Sequence, residues 1–186
     1  MKQFSDIIKG DRIELSELDA TRYNAEVYYK FLKENETHLS EFDNLGFDSV
    51  EDVLKFLEHV SNSESGKFYG IYKEGTFIGY LGFEMYNSRD RWVSLYFALA
   101  KSATGKGFMT EAVKLFADEF FAKGGNRLQL TCCTDNKKSA AIAERCGFKR
   151  EGVMRKRFFY VTKGQFCDDY LYSLIKDDID AKTETK

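Results

Sequence analysis

The spacing of apolar residues changes character several times along this chain of 186 residues. "DRIEL" (11–15) predicts a short opening strand. Over residues 19–34, Tyr23, Val27 and Phe31 recur every fourth position and predict one face of a helix. A second helical stripe follows in Val50, Val53, Leu54, Leu57 and Val60, with Asp48 and Glu51 spaced as a capping box at its start. From Lys67 the period shortens to two. "KFYGIY" and "TFIGYLGFEMY" flank Lys73-Glu74-Gly75 and predict a hairpin. "RWVSLYFALA" is apolar on both alternating faces, as a strand covered on two sides would be.

Beyond a glycine turn, Met109, Ala112, Val113, Phe116 and Phe120 mark one side of a further helix that Gly124-Gly125 stops. "RLQLTCCT" predicts another strand, residues 135–146 another helix, and "FKREGVMRK" with "DYLYSLI" the closing strands. The order β-α-α-β-β-β-α-β-α-β-β describes an α/β fold: a mixed central sheet whose middle strands alternate with helices.

Composition sharpens this in a few places. Hydrophobic residues at 43% and aromatics at 16% suffice for one core, so a single domain over 1–178 is expected, followed by a charged, fraying tail at 179–186. A net charge of −2 carries no general signal for a polyanion, so no direct nucleic-acid binding is expected, the local basic run at 150–157 notwithstanding. The N-terminal stretch breaks its apolar residues with charges, unlike a signal peptide or a membrane span, and no membrane association is expected. With no proline, turns must come from Gly, Asn and Asp. The four cysteines lack paired spacing and only His38 and His59 could join them, so the expectation is reduced thiols, a cytoplasmic location and no metal.

Candidate chemistry centres on "SATGKGFMTEA" (102–112), a strand, glycine turn and helix start. Amides freed at a helix start, together with the helix dipole, favour an anion there. A Walker site fails, because Ala100 stands where its first glycine belongs and Gly107 where Ser or Thr should follow Lys106. A Rossmann fingerprint lacks its third glycine at Thr110 and comes only after three strands. The diphosphate of coenzyme A, or a plain structural turn, remains.

The residues around the turn carry a resemblance. Thr104–Gly107 as the phosphate turn, "MTEA" opening the helix, "NR" before the next strand, then "N-x-x-S", "AER-x-GF" and "EG-x-x-R" resemble, in order and spacing, the GCN5-related N-acetyltransferases (GNAT). Within them the chain looks like the RimJ/RimL type, which acetylates protein N-termini among other amines. The likeness is strong over about residues 70–175 and rests on element order alone before that. Two departures stand out: Ser102 where Arg or Gln often begins the phosphate motif, and Ser94 where many relatives carry Glu.

The resemblance implies a GNAT-like, mostly antiparallel sheet flanked by helices, acetyl-CoA as co-substrate, a primary amine as acceptor and, by family likeness, a homodimer. It assigns the diphosphate to Gly105, Lys106, Gly107, Phe108, Met109 and Thr110, with the Lys106 side chain either in contact or solvated. It lays the pantetheine arm along Phe97, Ala98 and Leu99, where an amide would polarise the thioester carbonyl. Asn136 would bond the arm and Ser139 would serve as acid to the sulfur, although both also suit a helix start. Glu84, at the end of a strand with Ile78, Tyr80 and Gly82 on its face, is the candidate base, or a solvated strand-end glutamate. Cys132 reads as a core thiol rather than a nucleophile, and Asp168 and Arg155 as structural pairs. A protein N-terminus, a ribosomal one among the options, leads the acceptors. A polyamine, aminoglycoside or amino acid is the alternative, for which Asp43, Asp48, Glu51 and Asp52 would line a groove, and a non-catalytic CoA-binding regulatory module is a third reading.

Overall fold

A computed structural model describes residues 4–42, 46–63, 66–84 and 89–183. Eight strands form one sheet in the order β1-β2-β3-β4-β5-β6-β8-β7. They are Ile7–Lys9 (β1), Glu14–Glu17 (β2), Lys67–Lys73 (β3), Thr76–Glu84 (β4), Trp92–Leu99 (β5), Arg127–Cys133 (β6), Lys149–Tyr160 (β7) and Gln165–Ile175 (β8). Every neighbouring pair is antiparallel except β5 and β6, which run parallel. The fold is therefore α/β with a mixed, mostly antiparallel sheet.

Helices cover both faces. Phe108–Ala122 (α4) and Lys137–Cys146 (α5) pack on one side, where Phe116, Phe120, Leu128 and Leu130 lie in the larger core with Tyr69, Leu81 and Phe83. Arg22–Glu34 (α1), the single turn Glu36–Leu39 (α2) and Val50–Asn62 (α3) cover the other, where Tyr28 meets Phe68 and Tyr80 at ring-centroid distances of 5.1 and 5.3 Å. Each such buried ring contributes roughly 1.5–3 kcal/mol of transfer free energy.

The turns follow the chemistry of their residues. Between β3 and β4, Glu74 and Gly75 both have positive φ (50° and 75°), the twist that a two-residue hairpin loop favours. Three local expectations are corrected. The chain opens with a hairpin, because charge-interrupted residues 7–9 pair with β2, and "DRIEL" splits between the turn and β2. The buried face of α1 is Ala25, Tyr28, Phe31 and Leu32, while Tyr23 is 72% exposed. The capping box of α3 sits one residue later: Ser49 Oγ accepts from the Asp52 amide (3.2 Å) and donates to the Asp52 carboxylate (2.8 Å). At the C-terminus, Lys176–Thr183 form a further helix (α6), and residues 184–186 lie outside those described.

Candidate active site

The parallel pair creates the site. The β5–β6 ladder runs from Trp92/Arg127 to Leu95/Leu130 and goes no further. Meanwhile β5 stays paired with β4 as far as Leu99, and β6 with β8 as far as Cys133. Two well-supported strands thus part, leaving backbone groups along 96–99 to face a gap. That gap belongs to a cleft of about 1550 Å³ bounded by Phe97, Ala98 and Leu99 on one arm and Thr131, Cys132 and Cys133 on the other.

The glycine turn closes one end. Gly105 and Gly107 have φ of 76° and 83°, values that cost other residues dearly, and Gly107 caps α4 with no side chain intervening. The first amides of α4 therefore stay available to a ligand. Gly105, Gly107, Phe108, Met109 and Thr110 line the cleft, whereas Lys106 is exposed and lies outside its lining.

Arg12, which the sequence did not single out, braces this turn. Its Nη1 donates to the Lys106 carbonyl (3.0 Å) and its Nε to Glu111 Oε2 (2.8 Å). The backbone amide of Arg12 donates to Glu111 Oε1 (2.9 Å), and its guanidinium lies 5.1 Å above the Phe108 ring. Glu111 would repel an anion at the start of α4, and Arg12 offsets that charge. Only "GDR", ahead of a strand, hinted at it.

At the start of α5, Asn136 Oδ1 accepts from the Ser139 amide (3.1 Å), the arrangement of an N-cap. Among the described residues the Asn136 amide nitrogen donates to no protein group, and both Asn136 and Ser139 line the cleft. Cys132 is buried beside them. Burial pushes its thiol up to about 11, with the Ser139 hydroxyl pulling in the opposite direction.

Glu84 is exposed, ends β4 directly opposite Ser94, and lines the cleft with Ser94 and Tyr96. It shares a sheet face with Tyr80 and Gly82, as alternation requires, but not with Ile78, because a bulge opposite Ile71 and Tyr72 turns Ile78 to the other face and into the larger core. Tyr96, also unforeseen, lies over Gly82, whose missing side chain makes room for its ring. Burial first, and the Glu84 charge second, push its phenol upward.

Across the gap, Asp169 and Tyr160 line the same cleft, and the Tyr160 hydroxyl donates to Asp169 Oδ1 (3.1 Å). Asp168 points elsewhere and accepts from the Lys156 amide (2.9 Å) at a residue with positive φ, so it supports a kink in β7. Arg155 is exposed and outside the cleft's lining. Of the acidic groove, Glu51 pairs with Arg22 (2.9 Å), Asp52 caps α3, and the Asp48 carbonyl accepts from Tyr29; none of the three lines the cleft, and Asp43 lies outside the described residues.

The sequence matches the family described as Acetyltransferase (GNAT) domain over residues 12–149. It is 31% identical over 108 residues to the putative ribosomal N-acetyltransferase YdaF of Bacillus subtilis, covering 58% of each chain. It is 28% identical over 130 residues to the uncharacterized N-acetyltransferase p20 of Bacillus licheniformis, covering 68% of this chain and 72% of that one. Among solved structures it superimposes on the ribosomal alpha-N-protein acetyltransferase RimL, there bound to coenzyme A through a disulfide, with a TM-score of 0.84, 22% identity and coverage of 92% and 99%. It also superimposes on the microcin self-immunity acetyltransferase MccE, solved with acetyl-CoA and AMP, with a TM-score of 0.82, 25% identity and coverage of 89% and 93%. The chain belongs to the GNAT acetyltransferases, enzymes that acetylate amines from acetyl-CoA, and its fold is that of RimL.

Proposed function

We propose that this protein carries acetyl from acetyl-CoA straight to a primary amine while both are bound, and that the amine is a protein N-terminus. One observation carries the reading: the β5–β6 ladder stops four residues before β5 ends, and the opened edge leads to the glycine turn. An amide-bearing arm can pair along 97–99 like an added strand, while its diphosphate meets the amides of residues 105–110.

The acceptor amine arrives as an ammonium and must lose a proton before it can attack. Glu84 takes that proton through water at the open side of the cleft. An amide at the end of β5 stabilises charge on the carbonyl oxygen as the N–C bond forms and the C–S bond breaks. The nitrogen then gives up its second proton, and Ser139 relays it to the sulfur. One proton ends on Glu84 and one on the thiol, so the step balances.

The N-terminal acceptor rests on likeness to YdaF and RimL, whose names carry ribosomal substrates. Thiol release across a panel of Ser- and Ala-initiated peptides, polyamines and amino acids tests it. Peptides that stay inert while small amines turn over would overturn it in favour of a small-amine enzyme. Acetyl-CoA binding without thiol release for any amine would instead mark a regulatory module.

A further inference from the structure

Asp169 is 3% exposed, yet it lines the cleft. Its Oδ1 accepts from Tyr160, and among the described residues no ion pair involves the carboxylate, which is open to the cleft rather than sealed away unpartnered. A buried carboxylate in that state calls for a cation. Its place in the register supports the same need. Asp169 sits opposite Cys133 on the antiparallel β6–β8 pair, so the two share a face, and Cys133 belongs with Tyr160, Cys167 and Phe158 to a small cluster. That face is opposite the one carrying Cys132 and α5, since neighbours along a strand alternate. Asp169 therefore stands on the acceptor's side of the sheet, away from the diphosphate turn.

We infer that Asp169, fixed by Tyr160, is the group that receives the acceptor's ammonium before transfer, making it the specificity-determining carboxylate for a cationic amine. The role rests on the proposed transfer reaction and divides its labour: Asp169 holds the amine, Glu84 takes the proton. Surrounding groups modulate it without neutralising it. Arg157 on β7 favours its charged form and Asp168 opposes it, Cys133 and Cys167 flank it, and Lys163 is engaged by Asp135 (2.9 Å). Burial, the largest influence, pushes the Asp169 carboxyl above its ordinary value. As pH falls through that raised value the group becomes protonated and loses its hold on the ammonium.

Asp169→Asn keeps an acceptor for Tyr160 and tests the charge alone. The expected result is a KM for the amine raised about tenfold or more with kcat changed less than about threefold, and the acidic rise in KM expected of the native enzyme flattened. Tyr160→Phe, which leaves the carboxylate, should raise KM by a smaller factor. Equal KM values and equal pH profiles for Asp169→Asn and the native protein overturn the inference. Should no amine be turned over, the transfer reading fails first. Calorimetry of a Ser-initiated peptide and its N-acetylated form on the CoA-loaded protein then decides the role of Asp169. Preference for the free amine that vanishes in Asp169→Asn supports it, and equal preference in both proteins overturns it.

Discussion

The two ends of the cleft are built from different materials. At the end proposed for the diphosphate the groups offered to a ligand are main-chain amides, set by two glycines at positive φ and the start of a fifteen-residue helix. At the acceptor end they are side chains, Glu84, Tyr96, Tyr160 and Asp169, delivered by four different strands. Backbone sites depend on conformation and tolerate side-chain exchange. Side-chain sites depend on register and tolerate little exchange at all. An enzyme that keeps one co-substrate while its acceptor varies is served by that division.

The sharpest way to break the contrast is at Gly107. A Cβ there would stand 3.3 Å from Arg12 Nη2, and a β-branched residue at φ 83° costs about 1–3 kcal/mol in strain alone. Gly107→Val should lower acetyl-CoA affinity about a hundredfold or more, read by calorimetry, with thermal stability reduced only modestly. Undiminished affinity would mean that the turn does not hold the diphosphate. Ser139→Ala comes next. It leaves Asn136 free to cap α5 through the residue's main-chain amide, so the helix should persist. The expected loss is about ten- to a hundredfold in kcat with acetyl-CoA affinity nearly constant.

The same division decides what the sequence discloses. Gly105-Lys106-Gly107 is legible because a positive φ demands glycine, and a helix start after a strand announces where its amides point. Asn136-x-x-Ser139 is legible because capping is local. The central stripe of α4 was legible in Met109, Ala112, Val113, Phe116 and Phe120, while Phe108, Ala117 and Phe121 widen it, because α4 packs against α5 as well as the sheet. Asp169 and Tyr160 were not legible, because nothing local tells a buried carboxylate from the half-buried Asp168 beside it; the difference is one step of strand alternation. Arg12 and Glu111 are 99 residues apart and meet only through the packing of the first hairpin against α4. In α1 the fourfold spacing of Tyr23, Val27 and Phe31 competed with Tyr28 and Leu32, and the tighter aromatic cluster around Tyr28 prevailed.

Arg12 sharpens the contrast, being a side chain within the backbone-built end. Arg12→Ala frees Glu111 to repel the diphosphate and loosens the turn at Lys106. Because the guanidinium is half exposed, screening limits the effect, and acetyl-CoA affinity should fall about three- to tenfold, more at low salt than at high. A loss matching that of Gly107→Val would show that the turn is held from outside rather than by its own geometry.

The smallest effect is expected at Cys132, which lies where the two ends meet. A thiol raised to about 11 by burial is almost wholly protonated at neutral pH, and the thiolate is the nucleophile. If acetyl passed through Cys132, the rate would climb about tenfold per pH unit toward that value, and an acetyl-enzyme would build up in a burst. Direct transfer instead levels off once the acceptor amine is deprotonated, and it shows no burst. Cys132→Ala should therefore change kcat less than about threefold and leave no cysteine-linked acetyl group detectable by mass spectrometry of the quenched native enzyme. A deeper loss together with an acetylated Cys132 peptide would reverse the order of events in the cleft, placing a covalent step between the diphosphate end and the acceptor end.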